Sequence, residues 1–146
     1  MSSKDQSRGI LALLVVVATI VLAQPAVAQT THGPTKRENF IVAEHKAFVF
    51  EPPQSARRDG PMPWVWYAPT LGKGLPGGSE TWMFDRFHKA GIAIAGIDVG
   101  ESYGSPKGRA IYQQLYVELT TKRGYGKKPV LLARSRGGLM LYNWAV

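Results

Sequence analysis

The sequence predicts an α/β fold, with a mostly parallel sheet, helices on both faces and an antiparallel hairpin at the N-terminal edge. Three observations carry that expectation. Solid apolar runs at Trp64–Ala68, Ile92–Ile97 and Val130–Ala133 are short enough to be strands and have no polar side to show to water. Stretches of helical periodicity alternate with them. Loops rich in glycine, proline and serine separate the two kinds of segment.

In chain order, Asn39 to Phe50 is rich in β-formers and partly alternates. It predicts one long strand or two short ones, closed by Glu51-Pro52-Pro53. Gln54 to Pro63 holds Arg57, Arg58, Asp59 and Gly60 and reads as a turn or exposed loop. Trp64–Ala68 is a buried strand bounded by prolines on both sides. Thr70 to Gly78 carries four glycines and Pro76, so it can bend sharply. Ser79 or Glu80 starts a helix that runs to about Ala90, anchored by Trp82, Phe84 and Phe87 and stopped by Gly91. Ile92–Ile97 is a strand ending at Asp98, followed by a loop to Gly108. Arg109 to Arg123 reads as a helix, because Ile111, Leu115 and Leu119 share one face and Gly124 closes it. Lys127-Lys128-Pro129 leads into the last strand, and a helix-like apolar pattern follows Gly138.

The chain has 146 residues, enough for one domain, and not all of that length belongs to the domain. Residues 1–28 read as a secretory signal. Lys4 and Arg8 supply a basic start, Ile10 to Ala23 is an apolar run broken only by Thr19, and Ala26-Val27-Ala28 gives a small-x-small cleavage pattern. The run is short against the roughly 20 residues that a bilayer core needs, so no stable membrane span is expected after cleavage. The expected product is secreted or periplasmic and begins at Gln29. Residues 29–38 read as a flexible leader and residues 39–146 as the domain. The chain contains no cysteine, so the exported product relies on packing and not on disulfides.

Net charge is +8, and removal of Lys4, Arg8 and Asp5 with the signal leaves +7. The basic residues come in scattered pairs: Lys36-Arg37, Arg57-Arg58, Lys122-Arg123 and Lys127-Lys128. Scattered pairs describe a solvated surface. A nucleic-acid interface would gather them on one face among aromatics, so nucleic acid is not expected as a partner.

The chemistry concentrates near Ser135. An unassisted serine hydroxyl is a poor nucleophile that needs a base and donors for the oxyanion. A tight strand-to-helix turn exposes the hydroxyl and sets the next backbone N–H at the positive end of a helix. It also imposes backbone angles that only small neighbours tolerate. The small neighbours here are Ala133 and Gly137. An ordinary strand-to-helix turn, with Ser135 as a helix N-cap, is the plainer alternative.

Ala133-Arg-Ser135-Arg-Gly137-Gly138, after Val130-Leu131-Leu132, resembles the nucleophile elbow of the α/β-hydrolase superfamily, with Ala133 in place of the first glycine of that pattern. Asp98-Val-Gly100-Glu-Ser-Tyr-Gly104-Ser-Pro106 resembles the loop after the fourth strand of that family, with altered spacing. Trp66-Tyr67-Ala68-Pro69-Thr70-Leu71 sits where the family keeps its oxyanion loop, without that loop's histidine and glycine. The resemblance covers residues 39–146 and implies an incomplete α/β-hydrolase fold, the N-terminal half ending just after the elbow. It implies Ser135 as the nucleophile of a carboxylester hydrolase and the Arg136 backbone N–H as one oxyanion donor. The backbone N–H of Thr70 or Leu71 would be the second, since Pro69 has none. The implied substrate is a small-molecule or polymer ester.

The family order is serine, then acid, then histidine, and no Asp, Glu or His follows Ser135. His32, His45 and His88 all lie upstream, and none is expected to act as the base. The chain is therefore expected to be a poor catalyst alone and to self-associate through an exposed sheet edge beyond Val130–Ala133. Asp98 is expected to accept turn N–H groups. Arg134 and Arg136 have two readings, contact with a substrate acid or pairing with surface acids. Gly72-Lys73-Gly74 lacks the spacing of a phosphate loop, and no residues have metal-ligand spacing, so neither cofactor nor metal is expected. The competing function is a non-catalytic secreted basic module that binds anionic envelope polymers.

Overall fold

The computed structural model describes residues 37–69, 76 and 78–146. The secretory signal, most of the leader with His32, the Gly72-Lys73-Gly74 stretch and both Thr70 and Leu71 lie outside the described residues.

The elements are β1 (Arg37–Val42), β2 (His45–Phe50), β3 (Trp64–Ala68), α1 (Thr81–Lys89), β4 (Ala93–Ile97), α2 (Pro106–Val117), β5 (Val130–Ala133) and α3 (Gly137–Ala145). They build one five-stranded sheet in the order β1-β2-β4-β3-β5. The fold is α/β, with the hairpin β1–β2 at one edge as the sequence suggests. The sheet is mixed and not mostly parallel. β1 with β2 and β2 with β4 are antiparallel, while β4 with β3 and β3 with β5 are parallel. The reason is where the hairpin docks. The tight turn at Ala43-Glu44, both at positive φ, folds β2 back on β1, and β2 then lies directly against β4.

Strand alternation sorts the core onto two faces. Val49, Trp64, Trp66, Ala95 and Ile97 point to one side and meet Ile111, Leu115 and Leu119 from the second helical region, and Met140 and Leu141 of α3. Phe48, Val65, Tyr67 and Ile94 point to the other and meet Phe84 of α1. Aromatic rings fill the first face. Trp66 lies 5.3 Å from Tyr112 and 4.5 Å from Trp144, both tilted or edge-on.

Two helix ends depart from the expectation. Ser105 caps α2 by accepting the Gly108 N–H, and Pro106 occupies the first helical position, so α2 begins ahead of Arg109. At its other end the helix widens into a π-turn over Glu118–Lys122. There the Thr120 hydroxyl donates to the Tyr116 carbonyl and the Thr121 hydroxyl to the Val117 carbonyl. Threonine hydroxyls bonding four residues back disturb the regular ladder.

His88, on the last turn of α1, is only 5% exposed and lies against Phe50. Burial lowers its pKa from the ordinary 6.5, against the opposing influence of a backbone hydrogen bond with Phe50 and the charge of Asp85. The folded protein therefore resists a proton that the unfolded chain accepts. Above pH 6.5 both states are neutral and the stabilisation is complete; it is lost as pH falls below that value through the lowered folded pKa. Urea titrations stepped downward from pH 7 should show stability declining across that window. His88→Gln should show a flatter slope there, and an unchanged slope would refute the assignment.

Candidate active site at the β5–α3 turn

The C-terminal ends of the three parallel strands open on one edge of the sheet, at Ala68 of β3, Ile97 of β4 and Ala133 of β5. Loops leaving such ends are where sheets of this kind place ligands. Ser135 leaves β5 at that edge. β5 begins at Val130 and pairs with β3 residue for residue from Val65–Val130 to Ala68–Ala133. The register is then extended by one bond, from the Arg134 N–H to the Ala68 carbonyl at 2.8 Å.

The chain turns over the next three residues. Ser135 takes φ of +52°, which is uncommon for a residue with a Cβ and costs about 1–3 kcal/mol. The Gly137 N–H donates to the Arg134 carbonyl at 2.9 Å and the Gly138 N–H to the Ser135 carbonyl at 3.1 Å, and α3 starts. Ser135 precedes the N-cap position, which Arg136 occupies, and no side chain caps this helix. The plain N-cap alternative for Ser135 is thus not what the backbone adopts. Ser135 and Arg136 are exposed. Among the described residues the Arg136 N–H meets no acceptor, and it lies at the positive end of α3.

Gly137 explains why the turn is so tight. A Cβ on it would overlap the backbone of Ala68 and Pro69, so α3 approaches the end of β3 more closely than any side chain permits. Gly138 is different. A Cβ there would rest 3.7 Å from the Tyr142 ring and 3.8 Å from the Ala133 Cβ, in ordinary contact. The Ala133 methyl is therefore tolerated beside Gly138.

Both arginines flanking the serine are engaged by carboxylates. Arg134 donates to Glu80 Oε1 at 2.5 Å, and Arg136 Nε lies 3.2 Å from Glu101 Oε1. Of their two sequence readings, pairing with acids is the one the structure adopts. Glu80 is 6% exposed and also accepts from the Tyr67 hydroxyl at 3.0 Å and the Ser79 hydroxyl at 2.8 Å. Burial raises the Tyr67 pKa, with Arg134 acting in the opposite direction and Glu80 adding to the rise. The sequence reading missed Tyr67 and Glu80 as parts of this site. A tyrosine inside an otherwise apolar strand was the available signal, because a buried hydroxyl seeks an acceptor.

The other sequence candidates separate. Asp98 Oδ1 accepts the Gly100 N–H at 2.9 Å, the turn role expected of it. His45 Nδ1 is 2.8 Å from the Asp98 carbonyl. It sits on β2, three strand spacings or about 14 Å from β5. His88 belongs to the end of α1 beside Phe50, whose partner Ile94 lies near the start of β4, at the opposite edge from Ser135. Neither histidine is brought to the serine. Among the described residues no group of three His, Cys, Asp or Glu gathers to hold a metal ion, and no helix is long and apolar enough to cross a membrane. An open groove of about 490 Å³, lined by Tyr116, Lys127, Pro129, Leu131 and Trp144, lies toward the start of β5 and the end of α3, away from Ser135.

No protein-family model matches the chain, and no curated protein matches it.

The contrast between the two glycines is measurable. Gly137→Ala should lower the unfolding free energy by about 3 kcal/mol in a urea titration, since backbone and not a flexible side chain must yield. Gly138→Ala should be neutral or gain up to about 1 kcal/mol from helix propensity. Equal effects at the two positions would mean that the close approach at Gly137 is not real.

Proposed function

We propose that this chain belongs to an exported serine hydrolase of the carboxylester type and that Ser135 is its nucleophile. The observation that carries the reading is the backbone at Ser135. A non-glycine residue is held at positive φ between a parallel strand and a helix, and the next amide, that of Arg136, meets no acceptor among the described residues. Strain of this kind persists only where surrounding structure enforces it, and here Gly137 and the Arg134–Ala68 bond do so. The finer fold reading belongs to the same proposal: a β1-β2-β4-β3-β5 sheet with helices on both faces supports the N-terminal part of an α/β-hydrolase fold.

The chemistry follows from the parts. The Ser135 hydroxyl attacks an ester carbonyl while a base takes its proton. The Arg136 N–H and the N–H of Thr70 or Leu71 receive the oxyanion. Collapse releases the alcohol and leaves an acyl-enzyme, which water then opens. Neither His45 nor His88 is that base, because both are placed and engaged elsewhere. With Arg134 and Arg136 already paired, the site favours neutral esters over substrates that need an arginine for an acid group. Export rests on the basic start, apolar run and Ala26-Val27-Ala28 of the sequence.

The protein isolated from its own source should react with a fluorophosphonate probe at Ser135, located by peptide mass spectrometry, and Ser135→Ala should abolish the reaction. Purified residues 29–146 should hydrolyse p-nitrophenyl acetate no faster than the same residues carrying Ser135→Ala. Absence of labelling together with salt-sensitive binding to polyanions would instead favour a basic binding module.

The outer edge of β5 pairs with no strand among the described residues, and Val130 on it is 61% exposed. We propose that residues 29–146 self-associate through this edge. Sedimentation velocity should show oligomers, and a single monomeric boundary at micromolar concentration would overturn this part of the reading.

A further inference from the structure

Ser135 is flanked by two arginine–carboxylate pairs that differ in kind. Glu101 is 38% exposed at its side chain and Arg136 49%, so water and salt compete with that pair. Glu80 is 8% exposed at its side chain, although Arg134 reaches it from the surface at 56%. A buried carboxylate demands compensation by hydrogen bonds and a cation, and Glu80 has both.

Its position gives that pairing a consequence. Glu80 ends the short turn Gly78–Glu80 and leads directly into α1. The Tyr67 hydroxyl, one residue before the end of β3, donates to the same Oε1 that receives Arg134. The Ser79 hydroxyl donates to Oε2. One carboxylate thus joins the end of β3, the start of α1 and the residue immediately before Ser135. The first two flank the segment that contains Thr70 and Leu71. β5, from which Ser135 departs, has a strand neighbour on one side only among the described residues. An edge strand with a strained turn at its end has few restraints, and the Arg134 side chain supplies one from the opposite end of the residue to the backbone bond with Ala68.

We propose that Glu80 is a positioning residue for Ser135. It acts through Arg134, holding the angle at which the turn leaves β5, and through Tyr67 it keys that angle to the end of β3. Glu80 touches no reacting atom in this scheme. The proposal rests on the reading of Ser135 as nucleophile for its catalytic meaning, but the hold on the turn is testable without it.

The test is amide hydrogen exchange on the full chain and four variants. Glu80→Gln removes the charge and keeps an acceptor oxygen for Tyr67, while the new amide NH2 faces Ser79, whose hydroxyl can turn to accept from it. Arg134→Gln removes the cation at an exposed position, so it remains informative if Glu80→Gln does not fold. Both should speed exchange at the hydrogen-bonded amides of Arg134, Gly137 and Gly138 by about tenfold or more, with α2 amides unchanged. Arg134→Lys, which restores a cation, should recover most of the protection. Arg136→Gln should leave the Arg134 amide as in the parent. In the protein isolated from its source, Glu80→Gln should also slow the maximal rate of fluorophosphonate labelling at Ser135 by about tenfold with little change in probe affinity, as a misaligned nucleophile does.

Unaltered exchange at the turn in both Glu80→Gln and Arg134→Gln would overturn the proposal, as would uniform acceleration over the whole fold or failure of Arg134→Lys to rescue. Should the turn respond as expected while the parent protein does not label, the hydrolase reading falls and the hold by Glu80 stands. Should the parent label and both variants label as fast, the positioning role falls and the hydrolase reading stands.

Discussion

The end of β3 and the start of α3 approach each other so closely that only a glycine fits between them. A Cβ on Gly137 would occupy the space of the Ala68 carbonyl carbon and the Pro69 nitrogen. The same carbonyl group accepts the Arg134 N–H, so the chain is fixed to β3 immediately before the turn and pressed against it immediately after. Only Ser135 and Arg136 remain to reverse the direction, and the left-handed angle at Ser135 is the result. The exposed position of that residue and the unbonded amide of its successor, among the described residues, follow from the same restriction.

The rest of the fold makes that approach affordable in energy and fixed in space. Trp64 and Trp66 on one face of β3 are covered by α2 and α3, and Tyr67 and Val65 on the other by α1. Side chains of this size allow little sliding, because interiors are close-packed. Trp64 adds a hydrogen bond from its indole N–H to the Gly126 carbonyl at 2.7 Å, which ties β3 to the segment entering β5. The strand that bears the serine is therefore positioned by the strand beside it, and that strand is held from both faces.

Charge is arranged differently at the surface and at the turn. Arg123 bridges Glu38 and Glu118 and lies 3.9 Å over the Phe40 ring, closing the hairpin onto the end of the long helical region. Glu51 accepts from Arg57 and from the Tyr125 hydroxyl, whose pKa is raised chiefly by burial and further by Glu51. These pairs join parts distant in sequence while leaving many other basic residues in water. Around Ser135 the two nearest cations are neutralised locally, so the positive charge of the chain as a whole does not translate into a bare cationic site there.

The sequence by itself determined the order of strands and helices and the place of the serine at a strand-to-helix junction. Apolar runs such as Trp64–Ala68, periodicity such as Ile111–Leu115–Leu119 and small residues at Ala133 and Gly137 are local signals, and each element that depends on them lies close to where they stand. Even so, periodicity makes the helical region from Arg109 look uniform, because threonine hydroxyls that bond back along the chain leave no signature in it. Tertiary structure alone decided the pairing of β2 with β4, which makes the sheet mixed, since strand partners are chosen by which faces must be buried together and not by the residues of either strand. It also decided that Glu80, 54 residues before Arg134, would meet it. A carboxylate at a helix start looks the same in sequence whether it faces water or is buried, and only the packing of β3, α1 and β5 around it fixes its partners.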